Sequence, residues 1–97
     1  MAATVSTHVL DTAAGRPAAG IAVSLYRGDE RVAHGRTDAD GRIRELARDL
    51  VPGVYRLVFE TATPFFRRVT LEVEIADGHH HVPLLLSPYG IASYRGS

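Results

Sequence analysis

Five histidines, an arginine set just after a turn and the final quartet are the residues of this chain with chemistry to offer. His79-His80-His81 open a segment, residues 78–97, that runs through apolar Val82-Pro83-Leu84-Leu85-Leu86 and a Ser87-Pro88-Tyr89-Gly90 turn to Tyr94-Arg95-Gly96-Ser97. In extended backbone His79 and His81 project to one face and His80 to the other. One face of that strand must be buried, so His81 stands at a boundary where burial and neighbours tune its ionisation. His8 lies on the mixed face of the first strand, and Arg42 follows the Asp40-Gly41 turn. The tail ends on an aromatic, a cation, a glycine and a hydroxyl; we read it as a strand whose last residues line a site shared between subunits.

The same residues have plainer readings. A strand histidine is most often structural or solvated, which is the expectation for His34 and His80. His8, His79 and His81 could hold a divalent metal through imidazole, but no carboxylate or cysteine sits at ligand spacing, so neither metal nor cofactor is expected. Arg67-Arg68 reads as a solvated edge that discourages edge-to-edge pairing. Phe65 and Phe66 read as core or interface. Spacing alone cannot gather His8, Arg42 and His81; a fold must do so.

The elements follow from alternation. Residues 4–10 put Val5, Thr7 and Val9 on one face and Ser6, His8 and Leu10 on the other. Residues 11–20, rich in Ala, Gly and Pro, form a loop, and residues 21–27 a second strand. Gly28-Asp29-Glu30 turns the chain into residues 31–37, and Thr37-Asp38-Ala39-Asp40-Gly41-Arg42 carries the strongest local turn signal. Residues 43–50 are ambiguous: Ile43, Leu46, Ala47 and Leu50 fit helical spacing, yet the segment lies between strands and is expected to be a short edge strand followed by loop. Pro52-Gly53 leads into residues 54–60. From Phe65 onward the alternation is clearest, with Val69, Leu71, Val73 and Ile75 opposite Arg68, Thr70, Glu72 and Glu74. Asp77-Gly78 turns into residues 79–87, and the last strand is expected over residues 91–97. Seven to eight short strands predict an all-β antiparallel sandwich of two sheets with little or no helix.

Bulk properties bound the rest. Ninety-seven residues make one domain. A chain this short buries only roughly 60–65% of its unfolded surface, leaving little interior for a private pocket. Eleven basic and eleven acidic residues cancel, so there is no electrostatic case for nucleic acid or an anionic membrane. No apolar run approaches the ~20 residues that span a bilayer. There is no cysteine, and neither a signal-peptide head nor its apolar centre, so the expected location is cytoplasmic.

Several motifs together resemble the transthyretin-related 5-hydroxyisourate hydrolases of urate degradation. They are Ser6-Thr7-His8-Val9-Leu10-Asp11 with Gly15-Arg16-Pro17-Ala18, then Thr37-Asp38-Ala39-Asp40-Gly41-Arg42. The others are His81-Val82-Pro83-Leu84-Leu85-Leu86-Ser87-Pro88-Tyr89-Gly90 and the terminal Tyr94-Arg95-Gly96-Ser97. The resemblance implies a transthyretin-like sandwich assembled as a dimer-of-dimers homotetramer, with active sites in the channel between dimers. It implies catalytic roles for His8, Arg42, His81 and Ser97, with Arg42, Tyr94, Arg95 and Ser97 toward the substrate. The family's short helix and Phe-Phe-Pro-Glu segment are missing here, where only residues 61–64 precede Phe65, and Ile91 stands where the family usually has tyrosine. Residues 15–57 alone also resemble non-catalytic transthyretin-like accessory modules, and a ligand carrier using the same channel is the other alternative.

Overall fold

The computed structural model describes residues 2–96, so the expectation attached to Ser97 lies outside it. All regular structure among the described residues is strand. In chain order these are β1 (Ala3–Asp11), β2 (Arg16–Pro17), β3 (Ala22–Arg27), β4 (Glu30–Arg36), β5 (Arg42–Leu50), β6 (Gly53–Glu60), β7 (Val69–Ile75), β8 (Gly78–Leu86) and β9 (Ile91–Ser93). The second sheet is antiparallel, in the order β4-β3-β6-β7. The first has β1 at its centre: β8 and then β9 lie on one side, and β5 and the two-residue β2 share the other. The two-residue β2, inside the stretch expected to be loop, raises the strand count to nine, above the seven to eight expected.

Alternation decides what each strand buries. Val5 and Val9 of β1 and Leu84 of β8 point into the core, where they meet Val23, Leu25, Tyr55, Leu57, Phe59 and Ile75 from the second sheet. Each such side chain contributes about 1.5–3 kcal/mol through the apolar area it removes from water. The opposite face of β1, carrying Thr4, Ser6 and His8, is thereby free to build a site.

Three details differ from the sequence reading. First, β1 and β8 run parallel, Ser6 opposite His81 and Val9 opposite Leu84. The chain completes the whole second sheet before β8 returns, a crossover that delivers it in the direction of β1. Second, β5 is one nine-residue strand rather than a short strand and a loop. Its pairing with β1 slips twice, between the Ala3–Leu50 and Val5–Ala47 pairs and again before Thr7–Ile43. The extra residues turn Leu46, Ala47 and Leu50 inward, so bulges produce the helix-like spacing.

Third, β9 stops at Ser93 instead of continuing through residue 97. Ser93 faces Leu84, and the next residue of β8 is Pro83, which has no amide hydrogen to give the ladder. The Ser93 hydroxyl donates to the Pro83 carbonyl instead, at 2.7 Å. Three residues further on, Gly96 rejoins β8 opposite His81 in unbroken register. Residues 61–68 hold no helix. They form a turn in which Thr61 and Thr63 hydroxyls both donate to the Phe66 carbonyl, closed by an exposed Arg68–Glu60 pair at 2.7 Å.

Candidate active site

Strand register alone assembles the site. In β1, His8 stands opposite Arg42 of β5, and two residues earlier Ser6 stands opposite His81 of β8. The face of the first sheet turned away from the core therefore carries imidazole, hydroxyl and guanidinium side by side. A cleft of about 260 Å³ there is lined by Ser6, Thr7, Arg42, Arg44, His79 and His81, with His8 paired to Arg42 beside it. Among these lining residues there is no carboxylate, so the cleft suits an oxygen-rich or anionic ligand.

The turn before β5 sets Arg42. Asp38 Oδ1 accepts the amide hydrogens of Asp40 and Arg42 at 2.9 and 3.0 Å, and the Asp38 amide donates to the Arg42 carbonyl at 2.9 Å. The Arg42 amide, followed by that of Asp40 and by the nearby guanidinium groups, holds the Asp38 carboxyl below the usual carboxylate range. Gly41 fastens the turn to β1, its carbonyl accepting the Val9 amide at 2.7 Å. It sits at φ +74°, and a Cβ there would fall 2.4 Å from the Val9 carbonyl oxygen. Only glycine permits both the left-handed backbone and the close approach. Thr-Asp-Ala-Asp-Gly-Arg thus reads as a device that delivers Arg42 beside His8.

That turn also orients His8. Its Nε2 lies 2.9 Å from the Asp40 carbonyl oxygen, which can only accept, so Nε2 carries the hydrogen and Nδ1 of the neutral ring is the free basic nitrogen. His81 is tied from its other side, with Nδ1 2.8 Å from Ser6 Oγ. Its pKa is lowered from the ordinary histidine value, first by burial and then by the positive fields of Arg42, His8 and His79. Burial and these fields favour the neutral ring, whose Nδ1 is taken up by Ser6.

The sequence-predicted residues separate into two groups. His8, Arg42 and His81 come together from three adjacent strands. Tyr94 and Arg95 do not join them within one chain: both line a second, larger cleft of about 450 Å³ along β7, with Leu71, Val73, His80 and Val82. Gly96 does reach the site, its amide donating to the His81 carbonyl at 2.7 Å. His80 points inward, buried, its Nε2 donating to the Ala76 carbonyl at 2.9 Å, in keeping with a structural role. Arg44 and Ser6 are not among the site residues selected from the sequence, although each lies two residues from a selected one and hence on the same strand face. His79, which strand spacing puts on one face with His81, has its Nε2 2.8 Å from Ser6 Oγ.

A two-sheet sandwich whose outer face gathers histidine and arginine from its central strands, with Gly96 paired back onto His81, defines a transthyretin-like protein. The solved structures agree. The 5-hydroxyisourate hydrolase of Klebsiella pneumoniae superposes with a TM-score of 0.92 at 38% identity, covering 98% of this chain and 99% of that one. Sea bream transthyretin in complex with thyroxine gives 0.86 at 28% identity, covering 95% and 93%. Among curated relatives, 5-hydroxyisourate hydrolase of Caulobacter vibrioides is 43% identical over 112 aligned positions, 96% of this chain and 97% of that protein. The enzyme of Pseudomonas aeruginosa is 40% identical, covering 96% and 90%. Residues 5–96 match the HIUase/Transthyretin family, and the chain belongs to it. An alignment longer than the 97 residues present means that this chain carries gaps relative to its Caulobacter relative.

Proposed function

We propose that this chain is a cytoplasmic, cofactor-free hydrolase of urate degradation that opens the cyclic amide of 5-hydroxyisourate to 2-oxo-4-hydroxy-4-carboxy-5-ureidoimidazoline. The observation that carries the reading is the register that sets His8 beside Arg42 and places Arg42 and His81 on one cleft. Hydrolysis adds water to the amide carbonyl, breaks the ring C–N bond and protonates the departing nitrogen. His81, kept neutral, takes the proton of the attacking water at Nε2. Arg42 holds the substrate oxygens and the oxyanion that develops on the carbonyl. His8 exchanges protons through Nδ1, because its Nε2 is committed to Asp40. Proton transfer by such positioned imidazoles contributes typically ~10²–10⁴-fold.

The working unit in this reading is a homotetramer, a dimer of dimers, in which the outer faces of the first sheets meet and enclose the clefts. A shallow cleft on a chain with so little interior supports it, since a facing copy would exclude water. Ser97 positions water or substrate in the channel, while Tyr94 and Arg95 serve the wall or the subunit contact. Stopped-flow assay on freshly generated 5-hydroxyisourate tests the reaction as excess rate over the unaided decay. Full activity in both His8→Asn and His81→Asn would end the assignment. Light scattering tests the tetramer, a monomer pointing to an accessory module. A tetramer that binds but does not turn over would be a carrier.

A further inference from the structure

A line of hydrogen bonds leads away from the cleft. His81 Nδ1 is 2.8 Å from Ser6 Oγ, Ser6 Oγ is 2.8 Å from His79 Nε2, and His79 Nδ1 is 2.6 Å from Thr4 Oγ1. The geometry follows from parallel register: Thr4 pairs with His79 and Ser6 with His81, so each hydroxyl of β1 lies between or beside the imidazoles of β8. His81 is half-buried, whereas His79 is exposed. From this line, which rests on the hydrolytic reading above, we infer that Ser6 and His79 form a proton relay for His81, with His79 holding the proton that leaves the attacking water.

The step balances. Before reaction His81 carries hydrogen on Nδ1, which donates to Ser6 Oγ; the Ser6 hydroxyl donates to His79 Nε2; and His79 Nδ1–H donates to Thr4 Oγ1. Water gives a proton to His81 Nε2 as its oxygen bonds to the substrate carbonyl. The His81 Nδ1 hydrogen moves to Ser6, and the Ser6 hydroxyl hydrogen moves to His79 Nε2. His81 ends neutral with its hydrogen on Nε2, Ser6 is again a hydroxyl, and His79 is the imidazolium. When the C–N bond breaks, the shifts reverse and the His81 Nε2 hydrogen passes to the departing nitrogen. No oxidant, metal or further reactant is involved.

Electrostatics favour such an arrangement. The charged and titratable groups around the cleft are Arg42 and Arg44 from β5, His8 from β1, and His79 and His81 from β8. A positive charge on His81 would stand half-buried against Arg42. Moved to His79 it is carried at an exposed ring that water solvates. A serine between two imidazoles is suited to the task because its hydroxyl donates and accepts at once. The role is a positioning and relay role: His81 alone meets the water.

The test uses the full chain and 5-hydroxyisourate in weakly buffered solution. His79→Gln and Ser6→Ala are each expected to lower kcat roughly 10- to 100-fold, less than the loss of a group that itself transfers the proton, with KM within about twofold. Imidazole buffer restores kcat in His79→Gln, and Ser6→Thr, which keeps the hydroxyl, retains it. Unchanged kcat in His79→Gln, or a fall that imidazole does not relieve, overturns the relay. A wild-type chain that leaves the substrate's decay rate unchanged defeats the hydrolytic reading instead. The relay is then decided without substrate, by nitrogen-15 NMR of the rings. Coupled titration of His79 and His81 that separates in Ser6→Ala supports it, and curves unaltered by Ser6→Ala overturn it.

Discussion

Gly96 lies against the His81 ring: its amide donates to the His81 carbonyl at 2.7 Å, and a Cβ on Gly96 would stand 2.6 Å from His81 Cδ2. Gly96 is therefore in contact with the imidazole that Ser6 fixes from the other side. A side chain at residue 96 can be admitted only if the ring rotates off Ser6 or the tail leaves the ladder.

Gly96→Ala is thus expected to damage activity more than folding. Displacing a reacting group by about 1 Å can cost roughly 10²-fold, and a kcat loss of that order is expected. The core strands are untouched, so the thermal midpoint should move little. Kinetics beside a melting curve checks this, and equal loss of both would show the tail to be a structural clasp.

Gly41→Ala should damage folding and activity together. An L-residue in left-handed backbone costs about 1–2 kcal/mol, and the carbonyl of Val9 blocks the Cβ. Urea denaturation should show at least that loss. Activity falls with it, since the same turn sets Arg42 and His8.

The lowered pKa of His81 has two consequences of one sign. Protonation is disfavoured in the folded chain relative to the unfolded one, so between the folded value and the ordinary 6.5 the unfolded state binds more protons. This contribution leaves stability intact above that window and reduces it as pH falls through it. The base form also persists in mild acid, placing the acidic limb of kcat/KM below 6.5. Burial is the first cause and remains in Arg42→Gln, but the second is gone. The limb should shift upward in that variant while kcat falls, and pH–rate profiles of both proteins test it.

Which features were legible depended on whether they were local. In β7 the alternation of Val69, Leu71, Val73 and Ile75 with Thr70, Glu72 and Glu74 is written in adjacent residues, and the strand is there. The turn of Asp38, Gly41 and Arg42 is equally local. In β5 two bulges against β1 shifted the inward positions to Leu46, Ala47 and Leu50, and an unbroken period could not reveal them. The Ser6–His81 pairing joins residues at opposite ends of the chain through a parallel register. Strand spacing shows that His79 and His81 share a face; it does not show which hydroxyls of β1 that face meets.

Arg44 tests what that omission means for binding. It lies two residues beyond Arg42 on the same face of β5 and lines the cleft, but it is exposed and farther along the strand from His8. A guanidinium there attracts an anionic substrate in the ground and transition states alike. Removing it should take away uniform binding, raising KM with kcat nearly unchanged. Arg42, beside His8, should lose kcat when replaced by Gln. For an exposed charge the loss should shrink as salt is added, since the Debye length falls from about 10 Å at 0.1 M to 3 Å at 1 M. Arg44→Gln is therefore expected to differ from wild type at low salt and to approach it at high salt. A kcat defect that persists in high salt would place Arg44 among the groups that stabilise the transition state.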